Sequence, residues 1–233
     1  MPANLINKIK SMTSPMGHEI AFYELLKDKK LPNIFFLGVF HGDETEGEYA
    51  IRKFMAELEQ DCPQDCRYNL YFLPCLNPDG KELKTRFNAN KVDLNRNYPT
   101  ANFKNETQTL SYEKVKCGTP ASEAETKFMI DLVETYQPSM IISVHSDLHL
   151  IDYDGPARDL ALMYADKTGY KFVESVGYET PGSFGTWAGI EKQIPLITLE
   201  TWCGRTEAEK EKIWQELRPA FYETLFFEAT RNK

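Results

Sequence analysis

The sequence predicts an α/β fold in which helices cover both faces of a mixed, largely parallel sheet. Short continuous apolar runs, rich in β-branched and aromatic residues, recur along the chain as fully buried strands do. Segments with apolar residues at helical spacing lie between them, and this alternation argues for a layered sheet rather than separate helical and β halves. A chain of 233 residues with 42% hydrophobic content can bury a full core, and its length suits one domain of the larger α/β kind better than two small ones. Residues 1–233 therefore read as one domain, without internal repeat or low-complexity tract.

The first ten residues lack the apolar core and small-residue cleavage site of a secretory signal, so the chain is expected in the cytoplasm. The run at 34–40 is the first predicted strand, and a helix is expected over 46–58. Cys62 and Cys66 are the one close pair among five cysteines. With no second pair to complete a four-thiolate metal site, they read as reduced thiols in a surface loop, and the odd total suits a reducing compartment. A second strand at 68–74 precedes 76–118, a long segment rich in Asn, Lys, Thr and Pro, of a kind that is usually functional or disordered. Ser122 and Glu125, after Pro120, have the spacing of a capping box that starts a helix running to Tyr136. Further strands are expected at 140–144 and 196–199. Helices are expected at 158–168 and 207–228, the latter with Ile213, Leu217, Tyr222 and Leu225 at helical spacing.

Composition narrows the function classes. A formal net charge of -8 gives no electrostatic footprint for nucleic acid, whose binders cluster Lys and Arg on one face. The longest apolar runs are too short to cross a bilayer of roughly 30 Å as helices, so no membrane partner is expected.

Chemistry-bearing residues collect where the predicted strands end. His41 and Glu44 follow the first run, with Gly42 allowing a tight turn between them; an imidazole and a carboxylate leaving one strand can converge on one ion. Glu44 and Glu46 fit equally the acidic first turn of a helix. His145 ends the run at 140–144, in a sequence with four histidines. Two histidines and a glutamate with an open fourth position are a common catalytic zinc set, the alternative being a hydrogen-bonded histidine at a strand edge. His149 and His18 lack this placement and read as structural or surface residues. Glu200 ends a further run, and a carboxylate leaving a buried strand is costly without a cation, a partner or a task. It reads as a general base or as the partner of an arginine such as Arg205. The long segment holds Asn77-Pro78-Asp79-Gly80, Arg86 and Asp93-Leu94-Asn95-Arg96-Asn97. Its arginines suit bidentate capture of a carboxylate, or are simply solvated.

Taken in order, His41-x-x-Glu44, Asn77-Pro-Asp-Gly, Arg86, Asn95-Arg96-Asn97, His145, Tyr178 and Glu200 resemble the zinc carboxypeptidase family from about residue 34 to 200. The resemblance implies a three-layer α/β/α fold and one zinc ion held by His41, Glu44 and His145. It implies that Arg86 stabilises an oxyanion, that Asn95 and Arg96 capture the substrate's terminal carboxylate, and that Tyr178 closes over it. Glu200 would be the base and proton shuttle. A narrower likeness, carried by residues 175–187 and the 86–97 stretch, is to a short bacterial branch of that family. It implies cleavage of the γ-D-glutamyl–meso-diaminopimelate bond of murein tripeptide during cell-wall peptide recycling, by a monomer or homodimer. Glu179 and Asp147 are the charged residues that position alone offers for receiving the diaminopimelate side chain. Another carboxypeptidase or an amino-acid deacylase, and a peptide-binding module without turnover, remain as alternatives.

Overall fold

The structure, a computed structural model, describes residues 5–108 and 114–228. In chain order the strands are β1 (Asn7–Thr13), β2 (Glu19–Leu25), β3 (Asn33–Gly38), β4 (Asn69–Leu73), β5 (Glu106–Gln108), β6 (Lys114–Lys116), β7 (Met140–Ser146), β8 (Leu150–Asp154), β9 (Lys171–Phe172) and β10 (Leu196–Thr201). The helices are α1 (Glu46–Gln60), α2 (Pro78–Leu83), α3 (Ala124–Tyr136), α4 (Arg158–Thr168) and α5 (Glu207–Thr224). An eight-stranded mixed sheet runs β1-β2-β4-β3-β7-β10-β8-β9. Its centre, β4-β3-β7-β10, is parallel, and antiparallel strands β2 and β8 flank that centre.

Alternation along the strands divides the core in two. Ile34 and Phe36 of β3 point to the side of α1, α4 and α5, where Phe54, Leu160 and Trp214 lie. Phe35 and Leu37 point to the other side, against Met129 and Leu132 of α3. On the first side Phe36, Phe54, Phe72 and Phe221 interlock, with Phe36 to Phe221 ring centroids 5.1 Å apart and Phe36 to Phe54 5.3 Å apart. Truncating such a buried ring costs about 3–5 kcal/mol. Three layers result, as the alternating pattern leads one to expect.

Several elements differ from the expectation. β1 and β2 lie in a stretch with no continuous apolar run, because β1 is half-exposed and β2 buries only Ile20, Phe22 and Leu25. β8 carries two aspartates in five residues and reads as loop. The segment 76–118 holds α2, a 3₁₀ turn at Leu94–Arg96 and the β5–β6 pair, so only parts of it are irregular. Ser122 does not cap α3. Its hydroxyl instead donates to the Glu123 carboxylate and accepts from Asn97, the N-cap is Glu123, whose side chain makes no capping bond, and Glu125 is fully buried, accepting from Asn88. The true capping box is Thr206 with Glu209, opening α5. That helix ends at Thr224, short of Glu228, and carries Pro219 within it. Cys62 and Cys66 are free, as expected, but buried against the core rather than exposed in a loop, and burial raises the Cys66 thiol.

The topology fixes where a site can form. From β3 the chain crosses to β4 on one side and later returns to β7 on the other. A crevice opens at the carboxyl ends of parallel strands where the winding direction changes.

Candidate active site

β3, β7 and β10 end side by side at this crevice. His145 lies within β7 directly opposite Glu200 of β10. His41 leaves β3 through Val39, whose φ of 53° puts a fully buried β-branched residue in the left-handed region. Such a conformation costs about 1–3 kcal/mol and persists only where the surroundings enforce it. Asn77 supplies part of that enforcement. Its backbone N–H donates to the Val39 carbonyl (3.0 Å), and its side chain caps α2 by accepting from Gly80 (2.9 Å) while donating to the Phe40 carbonyl (3.2 Å). After His41, a Cβ on Gly42 would fall 1.9 Å from the carbonyl carbon of Gly80. The two loops lie backbone against backbone, and only glycine permits it.

His41 and His145 turn their Nδ1 atoms onto opposite oxygens of one carboxylate, Glu44 Oε1 at 2.7 Å and Oε2 at 2.9 Å. One potential ligand atom from each of the three residues lies within 4.8 Å of the others, and all three are buried. Burial opposes ionisation of Glu44, but His41 and then His145 outweigh it and hold the carboxyl well below its ordinary value. For His145, burial comes first and His41 and Arg86 add to it, so its imidazole is held below the ordinary value despite Glu44. A buried carboxylate clasped between two imidazoles, one of them biased to the neutral form, is a donor set of the number and type that zinc takes in catalytic sites. These residues fit the ion. Glu46, the alternative reading of this acidic stretch, opens α1 and accepts from Gly204 N (2.7 Å), so it stands outside the trio.

Asp93 is the residue that sequence reasoning left without a task. It is fully buried; Oδ2 accepts from Arg86 Nε at 2.8 Å and Oδ1 from Asn95 N at 2.9 Å. His41 Nε2 stands 3.3 Å from Oδ1, a long and poorly aligned contact, and has no other partner. Against the penalty of burial, Arg86 and then His41 hold the Asp93 carboxyl far below its ordinary range. One carboxylate thereby orients a candidate metal ligand and a candidate oxyanion donor. Its only visible signal in the sequence is its place ahead of Leu94-Asn95-Arg96-Asn97, as the N-cap of the 3₁₀ turn.

The remaining expected residues converge on the same side. Arg86 Nη1 is 3.8 Å from Glu44 Oε1. Asn95 Oδ1 accepts from Phe184 N (2.9 Å), and buried Arg96 donates from Nη1 to the Asn95 carbonyl (2.6 Å), leaving Nε unpartnered. Asn97 does not face the crevice. It ties the loop down by donating to the carbonyls of Cys117 and Thr119. Tyr178 lines the same cleft as Arg86, Arg96 and Glu200, and burial raises its hydroxyl above its ordinary value, with Arg96 opposing and Glu200 reinforcing. Glu200 Oε2 is buried without a partner. Burial, then the charge of Glu44, push its carboxyl up to about 8. Arg205, the alternative partner, is exposed, and its backbone N–H donates to Glu209 (3.0 Å). His18 pairs with Asp79 and Glu82, and His149 packs edge-on to Tyr170. Glu179 and Asp147 both lie on the cleft wall, Glu179 exposed and paired with Lys104. His41, Arg86, Arg96, Tyr178 and Glu200 line one cleft of about 1800 Å3. No helix among the described residues is long and apolar enough to cross a membrane.

Residues 4–157 match the family described as zinc carboxypeptidase. The chain is 33% identical over 207 residues to murein peptide amidase A of Vibrio campbellii, an alignment covering 85% of this chain and 80% of that protein. It is 35% identical over 169 residues to the murein peptide amidase A of Escherichia coli K12, covering 69% and 67%. Among solved structures it is similar to the murein-tripeptide amidase of Escherichia coli O157, with a TM-score of 0.75 at 30% identity over 93% of this chain and 90% of the other. Carboxypeptidase A of Helicoverpa armigera gives a TM-score of 0.77 at 16% identity, covering 99% of this chain and 70% of that one, a likeness of fold.

Proposed function

As the chain belongs to the zinc carboxypeptidase family, whose members are zinc-dependent hydrolases, we propose that it hydrolyses the γ-D-glutamyl–meso-diaminopimelate bond of murein tripeptide. The reaction would belong to cell-wall peptide recycling in the cytoplasm, carried out by one catalytic domain with one zinc ion. The observation that carries this reading is Glu200, a buried carboxylate without a partner, facing the His41–Glu44–His145 trio across a cleft that also holds Arg96. The similarity to murein peptide amidases supports the choice of substrate.

Bound by His41, Glu44 and His145, zinc supplies Lewis acidity toward the scissile carbonyl and a positive charge that favours the ionised form of Glu200. Glu200 takes the proton from the attacking water and returns it to the departing amine. Arg86, its Nε fixed by Asp93, presents its remaining N–H groups to the oxygen on which charge develops. Asn95 and Arg96 hold the terminal carboxylate of the residue to be released, and Tyr178 covers it, so the bond to be cut is positioned before chemistry begins. A binding module would need neither an unpartnered base nor an arginine aimed at the reacting carbonyl.

The test is incubation of the zinc-loaded protein with L-Ala-γ-D-Glu-meso-diaminopimelate, with Glu200→Gln as control. Release of free diaminopimelate by the native protein and not by the variant is expected. Cleavage of ordinary L-peptides in its place would overturn the substrate, and release by both proteins alike would overturn the role of Glu200.

A further inference from the structure

The first turn of α1 is wedged against the two strands that deliver the trio. A Cβ on Gly47 would fall 3.0 Å from both the Val144 Cβ and the Val144 carbonyl oxygen, and one on Gly38 would fall 3.0 Å from the Gly47 carbonyl carbon. These two glycines let the helix backbone sit directly on β3 and β7. Glu46, one residue before Gly47, is thereby carried to the ends of β7 and β10, where it is 2% exposed.

Its carboxylate joins three elements. Oε1 accepts from Gly204 N, in the chain after β10, at 2.7 Å, and Oε2 accepts from Ser146 Oγ, at the end of β7, at 3.4 Å. Ser146 follows His145 directly, and its backbone N–H donates to Glu44 Oε2 at 3.3 Å. Gly204 stands four residues after Glu200 and is itself pressed onto α5, where a Cβ would fall 2.8 Å from Ile213 Cδ1. The Thr201 hydroxyl adds a further tie between β10 and β7 by donating to the His145 carbonyl at 3.2 Å. Of the charges around Glu46, Glu44 repels it and Lys210 attracts it. A buried carboxylate is costly unless its oxygens are met, and a bond from a backbone N–H to an ionised acceptor is roughly twice as strong as a neutral one. Neither the trio nor the proton path described above uses Glu46 itself.

We propose that Glu46 is a positioning residue that sets the base against the metal ligands. From the junction that carries His41 and Glu44, it holds the chain after His145 with one oxygen and the chain after Glu200 with the other. The inference rests on the reading of the trio as the zinc site and of Glu200 as the base. Glu46 acts through the residues it holds and not on the peptide. A reacting group misplaced by about 1 Å costs on the order of 100-fold in rate, so the reach of this side chain matters more than its charge.

Two substitutions separate reach from charge. Glu46→Gln keeps the length, with an amide oxygen to accept from Gly204 N and an amide N–H to donate to Ser146 Oγ. Glu46→Asp keeps the charge but is one methylene too short to span both. With murein tripeptide at saturating zinc, kcat should fall about 30-fold or more in Glu46→Asp, with KM within about threefold of native because the carboxylate clamp lies on other loops. Glu46→Gln should restore kcat to within about threefold of native. A role in stability alone would lower the melting temperature and leave the turnover of the folded protein unchanged, so native kcat in Glu46→Asp overturns the proposal. A Glu46→Gln protein that falls as far as Glu46→Asp also overturns it, since charge would then be the operative feature. Zinc affinity, read by competition with a chromophoric chelator, needs no turnover. It should weaken about tenfold in Glu46→Asp and stay within about threefold of native in Glu46→Gln, whether or not the peptide is cut. Equal affinity in the native and Glu46→Asp proteins overturns the proposal even if the tripeptide is cleaved, whereas an uncut tripeptide with the expected affinities overturns the reaction alone.

Discussion

Asp93→Asn separates the orienting role of one carboxylate from its shape. Asparagine keeps the size of the side chain and an oxygen able to accept from Asn95 N, which now lies 2.9 Å from Oδ1, so the 3₁₀ turn and the loop after it should survive. The substitution removes the negative charge that stands 3.3 Å from His41 Nε2 and 2.8 Å from Arg86 Nε. A carboxylate behind a metal-binding imidazole fixes the ring and raises its basicity, and losing one typically lowers metal affinity 10–100-fold. At 1.4 kcal/mol per decade this is about 1.4–2.8 kcal/mol. Arg86 loses its tether at the same time, so kcat should fall beyond what incomplete metal loading explains. Competition against a chromophoric zinc chelator gives the affinity, and turnover at saturating zinc isolates the second effect. A zinc affinity within twofold of the native value, in a variant with native circular dichroism, would refute the reasoning, because Asp93 would then be only a cap for its turn.

Three further outcomes follow from the same geometry. Arg86→Ala should lower kcat by about 10²–10³-fold with a much smaller change in KM, as loss of one donor to a developing charge does; a change confined to KM would make Arg86 a binding residue. Gly42→Ala places a methyl against the Gly80 backbone and should cost about 3 kcal/mol, lowering the melting temperature by roughly 6–12 °C; an unchanged melting curve would contradict the close approach. The Asp152 and Asp154 carboxyls sit above their ordinary value of 3.8, so the folded chain binds their protons more tightly than the unfolded chain does. Stability from this source is complete below about pH 4 and is lost as pH rises through 6 and 7. Denaturant titrations should therefore show Asp152→Asn gaining about 4 kcal/mol on the native protein between pH 4 and pH 8, and parallel pH profiles would argue against buried, unpaired acids.

The sequence made the centre of the molecule legible because a fully buried parallel strand must be apolar throughout, so the polar residue that ends it stands out. His145 and Glu200 are such residues, and His41 follows Gly38 closely. The edges obey a weaker rule. β2 buries three separated residues, β1 none, and β8 gives its cleft-facing positions to acids, so none presents a continuous run. The capping box at Ser122 failed for a related reason. The spacing was right, but Asn97 and Asn88 compete for the same side chains across the loop, and sequence spacing carries no information about partners 25 or 37 residues away. Arg86, Asn95 and Arg96 needed the order of the whole set, since loop arginines are commonplace. Asp93 escaped notice because its task is to orient two neighbours, and that is visible only when they are seen around it.

The pairing of β8 with β10 gives the cleft an evolutionary property of its own. In that antiparallel pair the floor presents Asp152 and Asp154, while Ile151 and Tyr153 face the helices. A single-residue insertion or deletion near Leu150 that slid β8 by one position would exchange the two sets in one step. The same wall would then offer isoleucine and tyrosine to the ligand, with His145 and Glu200 left in place on β7 and β10 and His41 and Glu44 in the loop after β3. The chemistry of this wall is thus set by strand register, separately from the residues that form the trio and from Glu200.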